Sequence, residues 1–279
     1  MRTPKVLYIL IAVFCVFAII AGIYAQFIEG NINHPVIPSG GNNNISNEKD
    51  RETIKTEFQN LFTNTIQLNG ADTTGIAKIK DDKEIVYSAY DIIKSEDAYE
   101  VNMKIPVVNI RNEVANSFNG ITQEIFVTKA NEVLKNTDTT KKMIYSIDYV
   151  GYVNGDILSL VIRSTLKEGD SAQRIIIQTY NYNLSTNEKV TLNDVITSKS
   201  LNKEDINHKI KEVVQEADDE AKAIQNMGYN TIFSRDLTSD IYTVDNSNTF
   251  FLGENGNLYV IYAYGNQNFT SEMDIVLFE

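Results

Sequence analysis

The stretch YSIDYVGYVNGDILSLVI, residues 145–162, carries the clearest structural signal in this chain. Asn154-Gly155 is the dipeptide that best supplies two positive φ angles to a type I′ hairpin turn, and apolar residues alternate on both sides of it. A two-residue loop centred there pairs Tyr149 with Leu160 and Ile147 with Ile162, and opposed residues share a face. Tyr145, Ile147 and Tyr149 then fall on the same side as Leu158, Leu160 and Ile162. Turn chemistry and hydrophobic alternation agree, which predicts an antiparallel hairpin with one buried face.

Downstream, residues 173–184 read as a third strand rich in Ile, Thr and Tyr. Asn202 is suited to cap a helix whose stripe is Ile206, Ile210, Val213, Val214, Ala217, Ala221 and Ile224, with Gly228 as its stop. Asn255-Gly256 offers a second hairpin, pairing Phe251 with Val260 and Phe250 with Ile261. Both of its faces are apolar, as in a strand pair covered on two sides. Met273 to Phe278 gives a closing strand.

Upstream, Ile54, Phe58, Leu61, Phe62 and Ile66 have helical spacing over residues 50–66. Glu84 to Tyr87 and Ala98 to Ile105 read as strands, the second ended or edged by Pro106. From Asn112, the positions Val114, Phe118, Ile121, Ile125, Val133 and Leu134 form a second helical stripe, weakened by Gly120. The predicted class is α+β, an antiparallel sheet packed by about three helices and preceded by one N-terminal transmembrane helix. The expected divisions are 48–140 and 141–279, two α+β subdomains.

Val6 to Ala25 are twenty consecutive uncharged, mostly apolar residues. At about 1.5 Å rise per residue they span a ~30 Å hydrocarbon layer. Arg2 and Lys5 in the head, residues 1–5, favour a cytoplasmic N-terminus. A cleaved signal peptide is the competing reading, against which stand the length of the apolar run and the poor cleavage site at Gly22-Ile23-Tyr24-Ala25. Residues 26–47, with Pro35, Pro38, Gly40, Gly41 and three successive asparagines, read as a flexible linker. The expected location is the cell membrane, single-pass, with the C-terminal part outside.

The formal charge is −12; residues 1–47 hold +1 (Arg2 and Lys5 against Glu29), leaving −13 on the exported part. That acidity argues against nucleic acid as a partner. Cys15 is the sole cysteine, so the exported part has no disulfide and relies on hydrophobic burial, as bacterial surface proteins often do.

The run from Tyr180 to Val195, YNYNLSTNEKVTLNDV, is a strand, a polar turn and Val-Thr-Leu-x-Asp opening a helix. It resembles the extracytoplasmic domain family found in the anti-sigma factor RsiV and beside the catalytic domain of the peptidoglycan deacetylase PdaC. Tyr99 to Val108, with the helix containing Asn119 and Ile125, resembles the smaller domain that usually precedes it. The resemblance covers most of residues 50–279. The family tends to carry a Tyr-Glu segment after its last hairpin, where this chain has Tyr264-Gly265-Asn266. Five residues ahead of the membrane cannot form a sigma-binding domain, and no deacetylase domain follows. The resemblance therefore implies an outward-facing module of the kind that in RsiV binds lysozyme, without either relative's output activity.

No catalytic constellation is legible. His34 lies in the linker and His208 on the polar side of its helix; no nucleophile elbow or metal-ligand spacing is present, so no cofactor or metal is expected. Glu216, Asp218, Asp219 and Glu220, with Glu204, Asp205 and Glu212 upstream, form either a solvated face or a docking surface for a cationic protein. Tyr264, Asn266 and Asn268 could form a binding loop. Val150, Tyr152, Ile157 and Val161 lie on the hairpin's second face, either buried or used for recognition. The expectation is a non-enzymatic binding or sensing module of a bacterial envelope, recognising a wall component or a cationic protein. The alternatives are a wall glycan hydrolase or transferase with paired carboxylates, or a structural subunit of an envelope complex.

Overall fold

The computed structural model describes residues 49–229, 232–265 and 270–279. The expected head 1–5, span 6–25 and linker 26–47 lie outside them. No helix among the described residues is long and apolar enough to cross a membrane. In chain order the elements are α1 (Arg51–Asn60), β1 (Ile66–Gln67), β2 (Val86–Ser95), β3 (Tyr99–Val108), α2 (Glu113–Thr122), a π-helical turn (Gln123–Val127), α3 (Thr128–Leu134), β4 (Met143–Asn154), β5 (Ile157–Glu168), β6 (Arg174–Asn183), β7 (Glu188–Lys189), α4 (Leu192–Ser198), α5 (Lys203–Asn226), β8 (Phe250–Leu252), β9 (Leu258–Ala263) and β10 (Met273–Phe278).

The predicted hairpin exists with its turn displaced. Asn154 pairs with Ile157, so the loop is Gly155-Asp156, and Tyr149 faces Ile162 where Leu160 was expected. Gly155 has φ +57° and Asp156 is not positive, the sign pattern of a type II′ turn with glycine first. Asn154 is drawn away from the turn by tertiary bonds, its amide donating to the carbonyls of Leu252 and Gly253 at 3.4 and 3.0 Å. The slip is two residues, so side-chain parity survives. Tyr145, Ile147 and Tyr149 share one buried face with Leu158, Leu160 and Ile162. Gly155→Ala is expected to destabilise the chain by about 1 kcal/mol, since alanine tolerates positive φ poorly, checked by its urea midpoint against that of the original chain.

The second hairpin slips by one residue, which does exchange faces. Phe250 pairs with Val260 and Phe251 with Tyr259, around a loop of residues 253–257. Asn255 and Gly256 do take positive φ, +58° and +77°, but Gly253 N–H closes the wider loop on Asn257 O at 2.8 Å. With both strand faces apolar, hydrophobic pattern had no power to set this register.

The large sheet runs β2-β3-β4-β5-β6-β7, and β1 pairs with β4 beyond the reach of β3. It is mixed, which corrects the antiparallel expectation: β3 and β4 are parallel over Tyr99–Met103 and Met143–Ile147. The cause is the α2–α3 crossover, which returns the chain to the starting end of β3. The division expected at residue 140 thus falls between neighbouring strands of one sheet. Pro106 sits inside β3, opposite Ser88 beside the β2 bulge. There the side chain of Asn119 substitutes for a strand, accepting from Val108 N–H and donating to Val108 O, both at 2.9 Å.

One face of the large sheet packs α2 and α3 through Tyr99, Met103, Ile147, Leu160, Phe118 and Phe126. Its other face packs α1 and the small sheet β10-β9-β8 through Val150, Tyr152, Val161, Phe58, Phe251 and Ile275. Tyr152 and Val161 are therefore core residues. The outer face of the small sheet packs α4 and α5. Four layers result, helix, sheet, sheet, helix, and residues Lys49–Glu279 form one compact unit.

Two helical readings are corrected by this packing. Ile66 belongs to β1. Ile121 and Ile125 are exposed, 46% and 39%, because the π turn inserts a residue and rotates the stripe to Phe118, Thr122, Phe126, Val127, Ala130 and Val133.

Candidate functional site

Helix α5 starts as expected, with the Asn202 side chain accepting from Glu204 N–H at 2.8 Å, and Gly228 lies just past its end with φ +94°. Ile206, Ile210, Val214, Ala217 and Ala221 are buried under it. Glu212, Glu216, Asp219 and Glu220 are exposed. Their spacings of three and four align them in one acidic stripe, which Asp205 extends one heptad toward the N-terminus. His208 is exposed, its Nδ1 3.3 Å from Glu212.

Asp218 does not join that stripe. It is 1% exposed, in line with Val214 and Ala221 on the inward flank. Tyr264 is likewise buried, at 5%. These two corrections share a cause, because both side chains serve one buried ionic network. Asn266 and Asn268, the other two members of the expected loop, lie outside the described residues.

Arg235 is the centre of the network. It comes from residues 232–249, which carry neither helix nor strand. Its guanidinium forms a two-bond fork with Asp274 of β10, Nε to Oδ2 at 3.0 Å and NH2 to Oδ1 at 2.9 Å. NH1 donates to Phe233 O at 2.7 Å and lies 3.2 Å from Glu272. Its backbone N–H donates to Asp218 Oδ1 at 3.0 Å, and Lys222 sits 2.6 Å from the other Asp218 oxygen. Tyr264 donates to Asp274 at 2.6 Å and accepts from Tyr242 at 3.1 Å. Arg51 of α1 reaches Glu220 at 2.9 Å. Helix α5, the irregular segment, β10 and α1 are thereby tied together by charge-assisted bonds.

The electrostatics follow from these partners. Burial alone would raise the Asp218 carboxyl, but Lys222 and the Arg235 N–H outweigh it and hold it below the usual carboxylate range. Burial, then the Asp274 carboxylate, pushes the Tyr264 phenol far up, so it stays a proton donor. A depressed carboxyl contributes stability that is complete above its unfolded value, about 3.9, and lost as pH falls through the folded one. Asp218→Asn should therefore flatten the loss of stability below about pH 4, checked by urea midpoints measured down the acid range.

Beside the network a cavity of about 220 Å³ is lined by Lys55, Gln59, Arg235, Ser271, Glu272, Met273 and Ile275. Of its three charged residues, Arg235 and Glu272 are bonded to each other and Lys55 pairs with Glu52 at 2.8 Å. A second cavity, about 260 Å³, lies between the π turn and the other face of the large sheet. Glu124, Ile125, Thr128, Lys129 and Glu132 form its helical wall, and Tyr145, Ser164, Leu166, Arg174 and Ile176 its sheet floor. Lys129 bridges Glu132 and Glu168 at 3.2 and 3.0 Å. Burial pushes the Tyr145 phenol up to about 12, its bond with Ser164 opposing. Among the described residues no three His, Cys, Asp or Glu side chains gather as a metal site.

Sequence reading missed both the Arg235–Asp274 pair and the π-turn cleft. A signal for the first existed in Asp274, a lone carboxylate inside the apolar strand Met273–Phe278. The second depends on a helical irregularity that periodicity alone does not announce.

No family model and no curated protein matches the sequence. Among solved structures the chain is similar to a DUF3298 family protein of Pseudomonas aeruginosa, at 12% identity and TM-score 0.39, covering 66% of this chain and 82% of that one. A DUF3298 family member from Bacteroides fragilis is similar at 12% identity and TM-score 0.31, covering 65% and 80%.

Proposed function

We propose that this chain is a membrane-anchored, outward-facing binding or sensing module of a bacterial envelope, non-catalytic, that captures a cationic protein of the lysozyme type on the exposed flank of α5. The observation that carries the reading is the acidic stripe Asp205, Glu212, Glu216, Asp219 and Glu220. The core side of the helix is buried and the carboxylates lie together on the open side. A like-charged stripe on an exported part of charge −13 raises the local concentration of cationic partners and their rate of encounter. The anchor at residues 6–25 and the resemblance of residues 180–195 to the RsiV-type module support the placement and the partner class.

Titration of the purified chain in detergent with lysozyme, and separately with soluble peptidoglycan fragments, tests it. Lysozyme should bind saturably at low salt and weaken as salt screens the stripe. Lack of saturation by lysozyme at low ionic strength would remove this partner class.

A further inference from the structure

Strand β2 is an edge of the large sheet, and its hydrogen-bonding groups can be assigned from its one neighbour. Glu96 and Tyr99 exchange both backbone bonds, Glu96 N–H to Tyr99 O at 2.8 Å and Tyr99 N–H to Glu96 O at 3.3 Å. In an antiparallel ladder such bonded pairs alternate with unbonded ones. Lys94, Ile92 and Tyr90 therefore spend their backbone groups on Val101, Met103 and Ile105, and the N–H and C=O of Asp91, Ile93 and Ser95 point outward. No described residue bonds to those outward groups, and all three residues are exposed. At 77%, Ile93 is the most exposed of the large apolar residues described.

The usual guards of a free edge are a bulge, a proline or a lysine aimed across it. Here the bulge lies between Ser88 and Tyr90 and leaves Tyr90 to Ser95 in unbroken register. Residues 86–95 contain no proline. Lys94 is on the strand's other face, its ammonium 2.6 Å from Tyr99 Oη and 3.2 Å from Glu96. The opposite border of the sheet is occupied. There β7 pairs with Tyr182 and Asn183, Ile175 N–H donates to Thr270 O at 3.1 Å, and Asn181 O accepts from Val190 N–H at 2.9 Å. Between copies of this chain β2 can therefore meet only β2, which makes the contact isologous and closed.

Self-pairing about a two-fold axis must keep opposed side chains on one face, so the axis passes through a residue and not between residues. One centre uses the whole free stretch. An axis at Ile93 sets Ile93 against its own copy and Asp91 against Ser95, each narrow pair exchanging both N–H···O bonds. The two isoleucines then cover each other, and Asp91 meets a hydroxyl. On the other face Lys94 lies along Ile92 with its methylene stem. An axis at Asp91 or Lys94 opposes like charges. One at Tyr90 or Ile92 runs into the bulged Ala89, and one at Ser95 leaves the strand.

We propose that this chain forms a two-fold dimer by antiparallel pairing of β2 with β2 about Ile93, which joins two large sheets into one. The bonded stretch is short, so the interface falls below the ~1,200 Å² of stable complexes and the dimer is weak, with Kd on the order of 10–100 µM. Each copy brings its own α5, and the pairing does not depend on what the acidic stripe binds.

Sedimentation velocity of the full chain in detergent, over a range of concentrations, tests the pairing. The chain should pass from monomer to dimer near that Kd. Ile93→Lys, which sets two ammonium groups face to face, should weaken the dimer at least tenfold. Ile121→Lys, at a 46% exposed residue of α2, should leave it unchanged. Both positions are exposed, so both variants should keep the melting temperature of the original chain. The place of contact is read by cross-linking in a Cys15→Ser background, because Cys15 is the sole cysteine. A short bis-maleimide should join Ile93→Cys, whose Cα atoms are about 5.5 Å apart across the axis, and should not join Ile121→Cys. The proposal is overturned by a monomer up to about 500 µM, by an Ile93→Lys dimer as tight as the original, by equal loss in Ile121→Lys, or by cross-linking no faster at position 93 than at 121.

Discussion

Arg235→Met is expected to lower the unfolding free energy by about 3–5 kcal/mol, the usual cost of breaking a buried ion pair by removing one partner. Asp274 is 0% exposed and would keep only the Tyr264 hydroxyl at 2.6 Å and a distant Arg51 guanidinium at 3.9 Å. Asp218 would keep Lys222 and the backbone N–H of residue 235 and lose only the longer-range attraction of the Arg235 charge. The damage should therefore fall first on the fully buried Asp274 and second on the part-exposed Glu272. Replacing the whole pair, Arg235→Met with Asp274→Leu, should restore most of the stability, because a well-packed apolar pair is often neutral or better than a buried ionic one. Urea denaturation of the two variants measures both effects. A single-variant cost under about 1 kcal/mol would place the pair in solvent rather than in the interior.

Phe58→Ala should cost about 3–5 kcal/mol. Phe58 is 0% exposed and projects from α1 into the core between the sheets, with Phe62 at 5.2 Å and Phe251 at 6.2 Å between ring centroids. Phe251 stacks in turn on Tyr259 at 4.6 Å. Truncation opens a cavity that two sheets and a helix cannot close together, so the loss exceeds the transfer term alone. Phe62→Ala should cost less, because Phe62 is only half-buried, under the Arg163 guanidinium at 4.0 Å. Thermal melts of the two variants give the order, and the reverse order would mean that α1 is not seated by Phe58.

Much of the architecture is legible from local pattern. The 145–162 hairpin, the strand after it, α5 with its Asn202 cap and the closing strand all follow from turn chemistry and periodicity. Register was legible only as far as patterning constrains it. The first hairpin slipped by two residues with no change of face, since one face had to be buried. The second slipped by one, since Phe250 and Phe251 are both apolar and neither face was marked. The parallel β3–β4 pairing follows from a helical crossover whose landing point no local pattern encodes.

The acidic helix shows how much of a site could have been read. Asp218 is two residues from both Glu216 and Glu220, and residues two apart on a helix do not share a face. It is four from Val214 and three from Ala221, which places it on the buried flank by arithmetic available in the sequence. What that arithmetic lacks is the partner: Arg235 arrives from an irregular segment, and its pairing with Asp274, 39 residues on, is a tertiary event. Tyr264 is buried for the same reason.

Sorting the carboxylates of α5 by exposure gives the account its sharpest test. The measurement is the affinity of lysozyme for the chain at low salt, compared with Glu216→Gln/Asp219→Asn/Glu220→Gln and with Asp218→Asn. The triple variant should bind at least tenfold more weakly, about 1.4 kcal/mol, with a shallower salt dependence. Asp218→Asn should bind as tightly as the original chain while folded. Equal affinity of the triple variant and the original chain would show that α5 is only a solvated face.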